Sequence, residues 1–472
     1  MSEEILDLNF ISYETPEIMC AAKSTKRVQY PVNPNNYSEC IGSEVIPLNF
    51  SNFPDCCYID GSKSSISLKM RINVPTDADM KYFAFENCIT EFRDRTDRPV
   101  IDLYNSGSTI MNMFSQVVHE SHNSQILYRE NFINQMQTVR EYRISKERKL
   151  FLSCVGGNAD VEVGWPIYQV NKDISFNIPL FLIAPMFNTA SLLPGRLIKN
   201  SILSLVVHDP KKSIFPLTST GNNLATLPAS LSVSFSQMAL NLYQTELYDG
   251  IQSLIKSSQL EFPYYCYHND LYVPHSESFT YNINLQCAKA SYVALKFFIE
   301  NPNTYINASA GVRDLGNYND VKDDNGMALS IVARVGGIVL PTYPINTAMD
   351  AYTSTVRSIN QISYNNTENV DELKNENRLM SGCVGYTDFN RNKLLIGPSL
   401  QVTRGLSAGG VIFGISLEKS NITGMSGLSL NGGRVLTIEV SGLTNYAQTK
   451  LYSQVKYMSV ASINENNIII SK

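Results

Sequence analysis

The chain has 472 residues, of which 43% are hydrophobic, 10% aromatic and only 17% charged, with a formal net charge of −5. That length suggests two or three domains at about 150 residues each, with bulk enough to build a full core without covalent staples. High aromatic content with a small net charge argues against disorder, and the slightly acidic balance without a basic stripe argues against a general nucleic-acid binder.

Residues 1–44 read as an N-terminal arm. They begin Met1-Ser2-Glu3-Glu4, which has neither the basic flank nor the apolar stretch of a signal peptide. Glu3, Glu4, Asp7, Glu14 and Glu17 accompany the small cluster Lys23, Lys26 and Arg27, so the arm is not basic and its charges read as solvated. The first clear strand follows. Ile66, Leu68, Met70, Ile72 and Val74 alternate with Ser67, Lys69, Arg71 and Asn73, the period of a half-buried strand.

Helical spacing is confined to one region. Ile110, Met113, Phe114, Val117 and Val118 fit a helix, although the end of that run fits a strand equally well. Tyr128, Phe132, Met136 and Val139 predict an amphipathic helix over about 124–140. The most apolar region, Ile174 to Phe187, carries Asn177, Pro179 and Pro185 and is too short to span a bilayer.

Further alternation follows at Leu231, Val233 and Phe235; at Phe279, Tyr281, Ile283 and Leu285; at Val411, Phe413, Ile415 and Leu417; and at Leu436, Ile438 and Val440. Such runs in both halves, separated by Gly, Asn and Asp clusters, point to antiparallel sandwiches rather than βαβ units. The polar stretches 301–325 and 358–376 read as long inserted loops.

Chemistry is hard to find. Gly405-Leu406-Ser407-Ala408-Gly409 fits G-x-S-x-G, but the last histidine is His275, upstream of Ser407, so the order expected of a hydrolase triad fails. A flexible turn is the better reading. His119 and His122 are three apart but lack a third ligand, and read as partly exposed polar residues near a helix end. Gly156-Gly157 and Gly432-Gly433 lack the Lys and Ser/Thr of a phosphate loop, and Asp320, Asp323 and Asp324 lack the spacing of a calcium loop. Lys146, Arg148 and Lys149 are too few to neutralise many phosphates. The nine cysteines, at 20, 40, 56, 57, 88, 154, 266, 287 and 383, are odd in number and contain no CxxC, so they read as reduced. The sequons at Asn307 and Asn421 read as ordinary surface loops. No catalytic, cofactor-binding or metal-binding residue is expected, and the chain is not expected to be an enzyme.

Four stretches, in order, resemble the double jelly-roll major capsid proteins of the Polinton, adintovirus and virophage type. They are Asn105 to Val117 followed by Ser124 to Met136; Phe176-Asn177-Ile178-Pro179-Leu180 followed by Leu193-Pro194 and Ile202 to Val207; Leu231 to Leu254 followed by Phe262-Pro263-Tyr264; and Val335-Gly336-Gly337 to Pro341 and Pro344, with Tyr352 after it. The order and spacing carry the signal, over about 105 to 352. The resemblance implies a mainly all-β fold of two tandem antiparallel jelly-roll sandwiches with a few short helices in loops: an arm at 1–44, a first jelly roll at 45–255 and a second at 256–472. It further implies a hexon-like homotrimer forming pseudo-hexagonal capsomers of the icosahedral shell of a double-stranded DNA virus.

Expected partners are neighbouring capsomers, penton and minor capsid proteins; whether an internal membrane lies beneath the shell is left open by the sequence. Sequence-specific nucleic-acid binding is not expected. The protein would be made inside the host cell, not secreted, and end in the virion, with 301–325 and 358–376 as an outer tower. The alternative reading is a β-sandwich glycan-binding or viral attachment protein with Asn- and Tyr-rich loops.

Overall fold

The computed structural model describes residues 6–7, 22–31, 37, 39–50, 53, 57–85, 92–93, 99–100, 113–132, 168–187, 192–217, 227–249, 252, 260–299, 330–346, 354, 358, 412–418, 427–443, 446–463 and 468–471. Up to residue 247 the strands are β1 (Leu6–Asp7), β2 (Ala22–Pro31), β3 (Val45–Asn49), β4 (Cys57–Asn73), β5 (Tyr82–Phe85), β6 (Phe92–Arg93), β7 (Pro99–Val100), β8 (Phe114–Glu120), β9 (Ile126–Asn131), β10 (Tyr168–Gln169), β11 (Ile174–Pro179), β12 (Leu193–Pro194), β13 (Ile202–Val207), β14 (Ile214–Leu217) and β15 (Ser232–Leu247). The remainder are β16 (Leu260–Tyr272), β17 (Phe279–Ile283), β18 (Ala290–Ile299), β19 (Ser330–Val335), β20 (Ile338–Ile345), β21 (Ile412–Ser416), β22 (Leu436–Ser441), β23 (Thr449–Ile463) and β24 (Ile468–Ser471). Helices are single turns: α1 (Leu180–Ile183), α2 (Gly195–Ile198), α3 (Pro210–Ser213) and 3₁₀ turns at Pro185–Phe187 and Tyr446–Gln448.

Four sheets carry the architecture. Two have the orders β2-β15-β4-β11 and β3-β13-β8-β9, and two have the orders β16-β23-β18-β21 and β17-β22-β19-β20. Counting strands within each half, both pairs of sheets read first-eighth-third-sixth and second-seventh-fourth-fifth. That is a jelly roll, made twice. Phe114 of β8 stacks on Phe235 of β15 at 5.7 Å between centroids, joining the first pair of sheets. In the second half Tyr272 of β16 stacks on Tyr281 of β17 at 4.8 Å. Short additions complete the sheets: β1 runs parallel to β16, β12 pairs with β4, and β24 pairs with β23.

The alternating runs become strands as expected. Ile66, Leu68, Met70, Ile72 and Val74 are buried along β4, while Arg71 is exposed. Each large side chain so buried stabilises the fold by roughly 1.5–3 kcal/mol. The beginning of β4 is different, because Cys57 to Gly61 are buried on both faces. The 3₁₀ turn Pro185–Phe187 lies directly on it: a Cβ at Gly61 would sit 2.4 Å from the Phe187 carbonyl oxygen. Only glycine allows that approach.

Two expectations are corrected. The helix predicted over about 124–140 is strand β9 across Ile126–Asn131; Met136 and Val139 lie outside the described residues. A spacing of four satisfies period two as well as period 3.6, so Tyr128 and Phe132 share a strand face. Glu130, between them on that face, is also buried and disguised the alternation. The helical reading of Phe114 to Val118 fails because β8 is a strand with a register shift opposite Val206 and Val207. That irregularity lets Phe114 and Val117, three apart, both point into the core.

Ala22–Pro31, inside the stretch read as an arm, pairs antiparallel along β15 from Leu247 to Ala239 as the first strand of the first sandwich.

Candidate assembly surfaces

The two sandwiches meet where β16 crosses β9, and hydrogen bonds tie that crossing within a continuous apolar core. Tyr264 Oη donates to the Leu127 carbonyl at 2.5 Å. Burial, with Cys266 and Tyr457 nearby, pushes the Tyr264 phenol well above its usual pKa, so it stays a donor. Asn269 Nδ2 donates to Glu130 Oε1 at 3.0 Å and to the Asn131 carbonyl at 2.8 Å. Gln454 Nε2 of β23 donates to Asn269 Oδ1 at 2.9 Å, and Tyr128 Oη donates to the other Glu130 oxygen.

Glu130 is only 2% exposed. Its carboxyl oxygens accept from donors of both sandwiches, the condition under which a buried polar group is tolerated. Asn123 Nδ2 adds a bond to the Ile468 carbonyl of β24, at 3.2 Å. Beside this junction, Lys456 is buried with Nζ 3.7 Å from the centroid of the Tyr265 ring. Adjacent positions Glu130 and Asn131 thus receive both ends of one Asn269 amide nitrogen, which fixes the crossing of β9 and β16.

Other surfaces are uncovered. On β20, Ile338 is 44% and Tyr343 82% exposed. On β2, Lys23, Ser24, Thr25, Lys26, Arg27 and Gln29 are exposed. Lys23 lies 3.8 Å from Glu246 on β15, and Ser24 Oγ donates to the same carboxylate at 3.3 Å.

The residues weighed for chemistry do not converge. His119 and His122 part company: His122 is exposed on the turn, whereas His119 is fully buried in the first core. This corrects the expectation that both are partly exposed near a helix end. His119 lies between Phe50 and Phe187, with Nε2 2.8 Å from Ser201 Oγ and Nδ1 3.2 Å from Met186 Sδ. Burial pushes its pKa down to about 3, so the ring is neutral. Since Ser201 Oγ donates to the Ile198 carbonyl at 2.6 Å, its oxygen accepts from an Nε2–H.

Gly432 and Gly433 form a turn with φ of +69° and +81° ahead of β22. Gly156-Gly157, Lys146 to Lys149, Asp320 to Asp324 and Ser407 lie outside the described residues, as do both sequons and both polar loop stretches, Ser358 excepted. Among the described residues no group of three or more His, Cys, Asp or Glu is placed to hold a metal ion, and no helix is long and apolar enough to cross a membrane. Cys40, Cys57, Cys266 and Cys287 are buried.

The surfaces that matter were missed by sequence reasoning. Glu130 and Asn269 are 139 positions apart and belong to no motif. The one available signal was a carboxylate on the apolar face of the Tyr128 and Phe132 pattern.

No family model matches the chain, and no curated protein matches it. Solved structures do. PBCV-1 VP54, as fitted into a cryo-EM reconstruction of the virophage Sputnik, is 9% identical and superposes with a TM-score of 0.52 over 95% of this chain and 97% of that one. The PBCV-1 virus capsid model is 10% identical, with a TM-score of 0.51 over 95% and 97%. A chain of the Sputnik virophage cryo-EM structure is 12% identical, at 0.47 over 96% and 89%. The first two likenesses run nearly end to end through both sandwiches, in agreement with the strand orders above. The chain has the double jelly-roll fold of viral major capsid proteins.

Proposed function

We propose that the protein is the major capsid protein of an icosahedral virus, a structural rather than catalytic subunit whose homotrimers form pseudo-hexagonal capsomers. The observation that carries this is the repetition of one jelly roll within one chain, the two copies locked side by side by the buried Glu130–Asn269 junction. Two like blocks in fixed relation are what a threefold ring needs to present six similar sides to a lattice. Closed cyclic symmetry makes the trimer, and weaker lateral contacts between trimers make the shell. The low charged fraction suits large subunit contacts, where charge is depleted.

The first domain in this reading begins at Ala22 and runs to about 255, with the second at 256–472. Neighbouring capsomers, penton and minor capsid proteins are its partners, and its destination after synthesis in the host cell is the virion. The first measurement is molar mass by light scattering on a sizing column, followed by negative-stain imaging. The expected result is three times the 52.7 kDa chain mass and particles of hexagonal outline. A monomer that persists at high concentration would sink the reading.

A further inference from the structure

The two sandwiches share a strand order but not the fate of corresponding strands. The fifth strand of the first sandwich is β9, and its flank is covered by β16, the first strand of the second. The fifth strand of the second sandwich is β20, and among the described residues no strand pairs with its outer edge, with Ile338 and Tyr343 exposed. The first strand of the first sandwich is β2, and the same holds of its outer edge, with Lys23, Lys26, Arg27 and Gln29 exposed. One covered pair within the chain therefore has a counterpart, β20 and β2, which do not pair among the described residues.

We propose that β20 of one copy seats against β2 of a second copy, repeating between chains the contact that β9 and β16 make within one. The proposal rests on the capsomer reading and names the surfaces that close it. Two chemical features favour this occupant. Pro341 and Pro344 deprive β20 of two N–H groups, so its edge is a poor template for another strand but retains carbonyl acceptors. On β9 the acceptors used at the junction include two carbonyls, Leu127 and Asn131, beside the Glu130 carboxylate, all reached by side-chain donors of β16.

The exposed side chains of β2, on both sides of this edge strand, are donors. Lys26 and Arg27 project to opposite sides, so the aliphatic stem of one can cover Ile338 while the cationic head of the other suits the ring of Tyr343. Because the two surfaces differ, the contact is head-to-tail, and it makes a ring when the rotation between successive copies closes, as one-third of a turn does.

Tyr343→Asp disables one face, and Lys26→Glu with Arg27→Glu disables the other; all three residues are exposed, so folding should survive. Light scattering should give a trimer for the wild-type chain and a monomer for each variant, with the dissociation constant raised at least tenfold. Mixing the two variants should then produce a dimer of twice the chain mass, since one healthy β20 and one healthy β2 remain but cannot close a ring.

Trimers that persist in either variant overturn the assignment while leaving the capsomer reading intact. Monomeric variants that fail to pair on mixing overturn the β20–β2 match specifically. A monomeric wild-type chain overturns the capsomer reading beneath it. Should circular dichroism show Tyr343→Asp unfolded, the Tyr343→Cys and Arg27→Cys double variant carries the test. Oxidation should yield interchain-linked species absent from either single variant, and their absence would overturn the match.

Discussion

One topology is filled by two chemistries. The first core is built around a neutral imidazole, His119 between Phe50, Phe187, Met186 and Ser201. The second has a bonded phenol instead: Tyr281 Oη donates to Asp270 Oδ2 at 2.6 Å and lies 3.3 Å from Ser453 Oγ, while Cys266 Sγ lies 3.5 Å from Ser459 Oγ. Burial, followed by the bond to Asp270, raises the Tyr281 phenol pKa, which keeps it protonated. A jelly roll constrains the path of its strands and leaves the polarity of its interior free. The two halves should accordingly respond to different insults.

The largest contrast should appear in acid. The unfolded chain protonates His119 near pH 6.5, but the folded chain does so only near pH 3. Between those values the unfolded state binds the extra proton, so stability falls as pH falls. At pH 4 the loss from this residue should be about 3 kcal/mol, at 1.36 kcal/mol for each pH unit below 6.5. Denaturant unfolding of wild-type and His119→Gln protein at pH 7 and pH 4 isolates it. The variant should show a shallower acid slope, and parallel slopes would remove His119 from the account.

An intermediate effect belongs to the junction. Asn269→Leu strips Glu130 of a donor and leaves the Asn131 carbonyl without that bond, costing about 2 kcal/mol. Calorimetry should show the single transition splitting or broadening as the sandwiches uncouple, and an unchanged trace would refute the coupling.

The smallest belongs to the second core. Tyr281→Phe keeps the ring and loses its hydroxyl bonds, lowering stability by about 1 kcal/mol in chemical denaturation at neutral pH. A neutral result would mean that its hydroxyl network is decorative.

Strands with one wet face and one dry face were readable, as β4 and β22 illustrate, because period-two alternation records that difference directly. β9 was not readable as a strand. Its buried face includes a carboxylate whose donors, Asn269 and Tyr128, come partly from the other sandwich. β2 was invisible for the opposite reason: its side chains are mostly solvated, and main-chain pairing with β15 leaves no apolar trace in composition. The junction was unreadable because its meaning lies in pairing residues from separate halves. The order of the four recognisable stretches carried the fold where individual patterns misled.

The first strand of each sandwich pairs with its last: β2 with β15, and β16 with β23. A chain emerging from the ribosome must therefore hold β2 unpaired until some two hundred further residues have been made. Pairings so distant in sequence close late, because the entropy of closing the loop comes due before the contact forms. The strand that bears Lys26 and Arg27 becomes a fixed, presentable surface only when its sandwich is finished. In the proposed β20–β2 contact, association therefore waits for a finished first sandwich.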